Sequence, residues 1–122
     1  MLDRTKITVL IVDDEPDILE LMDEEFKYCS YKTVTAICGN DAIAILDRQK
    51  IDIVVSDYKM SNGNGMAVLS HVNKMAVKPL FFFVSGQADV SVEDAIRAGA
   101  KKFFPKPFDL DELIKDIEKD LV

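Results

Sequence analysis

Apolar and polar residues follow two distinct patterns along this chain. Short runs of β-branched and aromatic residues predict five strands, at 7–12, 32–36, 52–57, 80–84 and 102–104. After each run, apolar residues recur every three or four positions, which predicts helices over about 16–26, 39–49, 65–73, 91–98 and 109–121. Strand–helix repeats with short connections predict an α/β fold, in which a parallel sheet with right-handed crossovers carries helices on both faces.

Length and composition limit the classes of protein to consider. A chain of 122 residues with 48% apolar and 30% charged residues is typical of one globular domain, which we place over 1–122. Its apolar runs are far shorter than the ~18 residues that cross a bilayer, and its charged start is unlike a signal peptide. We therefore expect a cytoplasmic protein that does not enter a membrane.

Net charge and cysteine content narrow the choice further. The formal net charge is −7 and no basic stripe is visible, which argues against direct nucleic-acid binding. Two cysteines in a chain without a secretion signal are usually reduced and do not form a disulfide. We therefore expect Cys29 and Cys38 to fill core space as free thiols.

Polar residues stand at the carboxyl end of four predicted strands. Asp13 and Asp14 follow the first strand, Asp57 ends the third, Ser85 follows the fourth and Lys106 follows the fifth. The carboxyl ends of parallel strands meet at one edge of a sheet, and ligands bind at that edge in folds of this class. Because loops are polar, chance explains any one of these residues, but it explains the whole set poorly.

The chemistry of this set points to a metal and a phosphoryl group. Three carboxylates that converge in one crevice repel one another, and a divalent cation with Lys106 would neutralise them. Oxygen ligands favour Mg²⁺, whereas zinc prefers histidine or cysteine, which this crevice lacks. The lone His71 is predicted to lie on the surface, in the third helix and away from the strand ends. A carboxylate beside Mg²⁺, a hydroxyl and an ammonium group is what an aspartyl-phosphate site requires, because the carboxylate attacks phosphorus there.

Five motifs at these positions carry a resemblance to a known family. They are Val12-Asp13-Asp14-Glu15-Pro16, Asp57 with Met60 and Gly65, Ser85-Gly86, Gly99-Ala100 through Phe103, and Lys106-Pro107-Phe108. In these motifs the chain resembles the receiver domain of two-component response regulators, and the resemblance runs from Ile7 to Val122. It implies a flavodoxin-like, doubly wound sheet of five parallel strands in the order 2-1-3-4-5, with five helices.

The resemblance also implies a role for each acidic residue. Asp57 would be the phosphoacceptor and would bind Mg²⁺ directly together with Asp14. Asp13 would help through a water molecule, and the backbone carbonyl of Lys59 would supply a further ligand.

Phosphoryl binding and signalling fall to other residues under the same resemblance. Ser85 and Lys106 would bind the phosphoryl oxygens beside Asp57, and Ser85 with Phe103 would form the switch. The phosphoryl group would come from a sensor histidine kinase or a phosphotransfer protein of a phosphorelay. An output protein or domain would then respond through the face of helix 4, strand 5 and helix 5. Such a domain would be a monomer or weak dimer, and it would catalyse only its own phosphorylation and dephosphorylation rather than act as an enzyme.

Two places depart from the family's usual pattern. Ser61 stands where the family usually has proline, so the loop that carries Lys59 would be less rigid. Lys101 and Lys102 replace a commonly acidic pair, which argues against the charge-paired dimer of the transcription-factor subfamily. The two lysines would instead give a basic spot that could choose an acidic partner.

Two alternatives stay open. A phosphatase of the haloacid-dehalogenase type also uses an aspartate nucleophile, a hydroxyl, a lysine and Mg²⁺. It needs a second aspartate two residues after the nucleophile, and this chain has Lys59 there. A receiver-like module that binds partners without being phosphorylated is the other alternative, although the complete acidic, hydroxyl and lysine set argues against it.

Overall fold

The computed structural model describes residues 2–58, 60, 62–86, 92–106 and 109–121. Its strands are β1 (Thr8–Val12), β2 (Lys32–Ala36), β3 (Ile53–Asp57), β4 (Leu80–Ser85) and β5 (Lys102–Pro105). All neighbouring strands are parallel, and they hydrogen-bond in the order β2-β1-β3-β4-β5. The predicted α/β class and flavodoxin-like strand order are therefore confirmed.

Five helices alternate with these strands. They are α1 (Pro16–Tyr28), α2 (Gly39–Arg48), α3 (Gly65–Val72), α4 (Val92–Arg97) and α5 (Leu110–Lys119). The predicted start of the fourth helix at Ser91 lies outside the described residues. A short 3-10 turn over Arg4–Lys6 precedes β1, and the apolar pattern did not predict it. Among the described residues, no helix combines the length and the apolar character that crossing a bilayer requires.

The sheet separates two hydrophobic cores. Helices α1 and α5 cover one face, where Phe26 and Ile117 pack against apolar side chains of the central strands. Helices α2, α3 and α4 cover the other face, where Leu69 packs with Phe81 and Phe83. Because both faces are covered, β3 and β4 are buried at nearly every position, which explains their continuous apolar sequence.

Both cysteines contribute to this packing as predicted. Cys38 is buried at the start of α2, and Cys29 is partly buried after α1. Both are free thiols.

Candidate functional site

The strand order brings the predicted polar residues to one edge of the sheet. Asp13 and Lys106 directly follow β1 and β5, and Asp57 and Ser85 are the last residues of β3 and β4. Backbone hydrogen bonds to the neighbouring strands fix the positions of two of these residues. Asp13 N–H donates to the Ala36 carbonyl at 3.2 Å, and Lys106 N–H donates to the Ser85 carbonyl at 2.8 Å. Asp13, Asp57 and Ser85 are buried.

Three carboxylates meet at this edge. Each of Asp13, Asp14 and Asp57 offers an oxygen, and these oxygens all lie within 4.8 Å of one another. Asp14 is exposed, whereas Asp13 is fully buried and Asp57 is 6% exposed, so the cluster opens to solvent on the Asp14 side. The prediction that these three residues converge is correct.

Backbone amides hold one oxygen of each buried carboxylate. Asp13 Oδ1 accepts a hydrogen bond from Glu15 N–H at 2.9 Å, and Asp57 Oδ1 accepts one from Tyr58 N–H at 2.8 Å. The second oxygen of each carboxylate, Oδ2, faces the ammonium group of Lys106, at 3.1 Å for Asp13 and 3.5 Å for Asp57. Orientation of the carboxylates therefore does not depend on a bound ligand.

Lys106 is the only cation within 4.0 Å of Asp13 or Asp57 among the residues that the structure describes. Burial alone would lower the pKa of Lys106, but the charges of Asp13 and Asp57 outweigh that effect and raise it. The side chain therefore stays protonated. One ammonium group beside a cluster of three carboxylates leaves the site with more acidic than basic groups.

The surroundings of Asp57 shift its pKa upward. Burial raises the pKa of Asp57 to about 6, and the charge of Asp13 adds to the rise. Lys106 and the amide of Tyr58 offset only part of it. A divalent cation would supply the missing charge. The donor set of carboxylate oxygens, without cysteine or histidine, fits Mg²⁺.

Phe103, the aromatic residue that was predicted to take part in the switch, lies next to this edge in a chain of ring contacts. Phe103 is partly buried, and its ring centroid lies 6.1 Å from that of Phe83. Phe83 contacts the ring of Tyr58 at 5.3 Å and that of Phe81 at 4.8 Å. The motifs at the strand ends do not include Tyr58 or Phe83. The unusual run of three phenylalanines in β4 was the available signal.

The other predicted positions have different outcomes. His71 lies in α3 away from the cluster, where its Nε2 is 2.8 Å from Asp47 Oδ1. Lys102 does not form a free basic spot, because its ammonium group lies 3.5 Å from Asp120 and donates to the Asp116 carbonyl of α5 at 3.1 Å. Only Lys101 of that pair is exposed. Lys59 and Ser61 lie outside the described residues, as do Pro107 and Phe108.

Comparison with known proteins identifies the family. The model of the response regulator receiver domain matches residues 9–118. The chain belongs to this family. Membership in this family excludes the alternative that the chain is a phosphatase of the haloacid-dehalogenase type.

Receiver domains of similar sequence occur in longer curated proteins. The transcriptional regulatory protein GlrR of Escherichia coli is 34% identical over 113 residues, which are 90% of this chain and 25% of GlrR. The transcriptional regulatory protein ZraR of Salmonella typhimurium is 30% identical over 120 residues, 97% of this chain and 27% of ZraR. The chain thus spans about a quarter of the length of these relatives.

Solved receiver structures agree with the fold. TrrA from Thermotoga maritima, in complex with Mg(2+)-BeF, is 27% identical with a TM-score of 0.83, covering 93% of this chain and 97% of that one. The CheX-CheY-BeF3-Mg+2 complex from Borrelia burgdorferi is 26% identical with a TM-score of 0.87, covering 95% of this chain and 90% of the matched chain.

Proposed function

We propose that this receiver domain accepts a phosphoryl group on Asp57 in a Mg²⁺-dependent reaction within a phosphorelay. The observation that carries the proposal is the oriented Asp57 carboxylate, which is buried, shares its edge with two other carboxylates and faces Lys106 at 3.5 Å. The donor would be a sensor histidine kinase or a phosphotransfer protein. We expect the transfer to occur in the cytoplasm, where phosphodonors derived from ATP are found.

The carboxylate of Asp57 is the nucleophile of the proposed transfer. One of its oxygens bonds to phosphorus, while the bond from phosphorus to the donor nitrogen breaks and its electron pair stays on the donor. Tyr58 N–H holds Oδ1 at 2.8 Å, which leaves Oδ2 on the side of Lys106. Lys106 would balance the charge on the phosphoryl oxygens, and the hydroxyl of Ser85 would bind one of them.

Four groups would hold the metal. Asp14 and Asp57 would be direct carboxylate ligands, Asp13 would act through water, and the carbonyl of Lys59 would complete the protein's share. When bound, Mg²⁺ neutralises charge on the transferring oxygens. The raised pKa of Asp57, about 6, supports this assignment because burial and Asp13 leave that carboxylate short of positive charge.

Output would use the aromatic contacts beside the site. Movement of the Ser85 hydroxyl toward a phosphoryl group would open space on the face of β4 that also carries Phe83. The ring of Phe103, now 6.1 Å from Phe83, would fill that space and shift α4 and β5 toward a second packing. An output protein or domain would read this change on the face of α4, β5 and α5.

Replacing the hydroxyl of Ser85 tests the proposed output switch. Ser85→Ala should still become phosphorylated, but phosphorylation should no longer change amide hydrogen exchange between 85 and 106. The parent measured in parallel is the control. Exchange changes of equal size in the parent and in Ser85→Ala would remove Ser85 from the switch.

Labelling with a small phosphodonor tests the phosphoacceptor half. The protein is incubated with acetyl phosphate and Mg²⁺, with a parallel sample in EDTA, and its intact mass is measured. We expect one labile phosphoryl group that forms only with Mg²⁺. No labelling under any condition would favour the non-phosphorylated binding module instead.

A further inference from the structure

The first turn of α2 holds the loop between β3 and α3. Gly39 N–H donates to the Gly63 carbonyl at 3.0 Å, and Asn40 N–H donates to the Asn62 carbonyl at 3.2 Å. The first amides of a helix have no partner inside the helix. The N-cap residue Cys38 makes no side-chain hydrogen bond to them. Loop carbonyls therefore cap α2, and α2 in turn fixes two points of the loop.

This close approach depends on a glycine at residue 39. A Cβ atom on Gly39 would lie 2.4 Å from the oxygen and 2.7 Å from the carbonyl carbon of Gly63. Both are backbone atoms, so no change of rotamer relieves the overlap and the loop itself would have to move. On the loop side, Asn62 and Gly63 have φ values of 53° and 101°, a left-handed conformation that asparagine and glycine adopt more readily than other residues.

The same loop is joined to Asp57 at its other end. Gly65 N–H donates to the Tyr58 carbonyl at 2.8 Å, and Tyr58 N–H donates to Asp57 Oδ1 at 2.8 Å. Gly65 also lies against the backbone of Asp57, because a Cβ there would be 2.4 Å from the Asp57 carbonyl oxygen. Two hydrogen bonds and a close backbone approach therefore connect the segment 62–65 to the Asp57 carboxylate.

We propose that Gly39 is a positioning residue for Asp57, which acts through the carbonyls of Asn62 and Gly63 without touching the carboxylate. This inference rests on the proposed function of Asp57. A displacement of about 1 Å at a reacting group can reduce a rate by about a hundredfold, so a side chain at residue 39 should slow phosphorylation strongly.

Two sets of variants test the proposal from opposite sides of the contact. Gly39→Ala adds the overlapping Cβ, and Asp41→Ala is the matched control at an exposed position in the same first turn of α2. On the loop side, Asn62→Ala disfavours the left-handed conformation, whereas Asn62→Gly preserves it. Asn62 is exposed, so both of its variants should fold.

The first measurement is the initial rate of phosphorylation by acetyl phosphate at saturating Mg²⁺, per folded molecule. We expect Gly39→Ala to be slower by about tenfold or more and Asn62→Ala by a smaller factor, with Asp41→Ala and Asn62→Gly within about twofold of the parent. The second is amide hydrogen exchange of the metal-free protein, in which the amides of residues 39 and 40 should be protected in the parent and should exchange faster in Gly39→Ala.

The outcomes separate this proposal from the proposed function. A parent that is not phosphorylated at all removes the proposed function. A phosphorylated parent matched within about twofold by a folded Gly39→Ala overturns the positioning role alone. If Gly39→Ala does not fold, equal rates for Asn62→Ala and Asn62→Gly overturn it.

Discussion

The pKa values of carboxylates are shifted in opposite directions at the two edges of the sheet. At the carboxyl edge, Asp57 shares one ammonium group with its acidic neighbours, and burial raises its pKa to about 6. At the amino edge, the carboxylate of Glu118 in α5 meets the guanidinium of Arg4 through two contacts, at 2.7 and 3.1 Å. The hydroxyl of Tyr31 donates to Glu118 at 2.8 Å, and these hydrogen bonds, Arg4's foremost, lower the pKa of Glu118.

The difference separates a structural charge cluster from the cluster that we propose to be functional. Matched donors at the amino edge make the ionised Glu118 a stabilising group that ties the N-terminal turn to α5. The carboxylates at the carboxyl edge oppose folding, because Lys106 and the Tyr58 amide offset only part of their burial and repulsion. We therefore attribute the destabilising carboxylates at the carboxyl edge to the metal and phosphoryl binding that we propose there.

The largest effect that we predict concerns Asp57 itself. Asp57→Asn should reduce phosphorylation by acetyl phosphate and Mg²⁺ by at least about a thousandfold, because the amide is not a nucleophile. Intact mass measured over time checks this, with Glu118→Gln as a control that removes a carboxylate from the other edge. Labelling of Asp57→Asn at the parent's rate would contradict it.

The second prediction concerns the response to Mg²⁺. In the parent, Mg²⁺ should raise the thermal midpoint, because it binds the folded acidic cluster and not the unfolded chain. Asp14→Ala should lose most of this response, yet without metal it should be no less stable than the parent, since it relieves repulsion. Thermal melts with and without Mg²⁺ measure both quantities, and clear destabilisation of metal-free Asp14→Ala would rule out the electrostatic explanation.

The third prediction is the pH dependence of stability at Asp57. Its folded pKa of about 6 exceeds its ordinary value of 3.8, so ionisation opposes folding progressively from pH 3.8 to 6. In EDTA, the stability gain of Asp57→Asn over the parent should grow across that range and then level off at about 1–2 kcal/mol, reduced by solvent screening. Urea unfolding at several pH values checks this, and a gain independent of pH would contradict it.

The smallest effect should appear at the amino edge, with the opposite pH dependence. Glu118 has a pKa below its ordinary value of 4.5, so its stabilising contribution is present above that value and is lost as pH falls through the folded pKa. Glu118→Gln should therefore be less stable than the parent near pH 7, and the deficit should shrink in acid. The same urea series measures it. A deficit that grows toward low pH would be incompatible with this ion pair.

Sequence patterns predicted the residues at the carboxyl edge well, because each of them lies next to a strand that the local sequence predicts. Asp13, Asp57 and Lys106 each stand within one position of a strand end, so strand order alone brings them together. The continuous apolar runs also marked the buried strands correctly, because both faces of the sheet are covered.

Contacts between distant segments were not predictable in the same way. Arg4 and Glu118 are 114 positions apart, and nothing in a periodic pattern pairs a turn with the end of the last helix. Lys102 was expected to contribute to a basic spot, but the carboxylate of Asp120, directly after α5, and the Asp116 carbonyl of α5 lie within its reach. The contact of Gly39 with Gly63 depends on backbone atoms, which carry no side-chain signature.

The chemical location of the phosphoryl group tests the central claim most directly. After incubation with acetyl phosphate and Mg²⁺, borohydride reduction converts an aspartyl phosphate into homoserine, which peptide mass mapping locates. We predict homoserine at residue 57 and none in a sample kept in EDTA. Homoserine at another aspartate, or an acid-stable phosphate on a hydroxyl such as that of Ser85, would contradict the assignment of Asp57 as the phosphoacceptor.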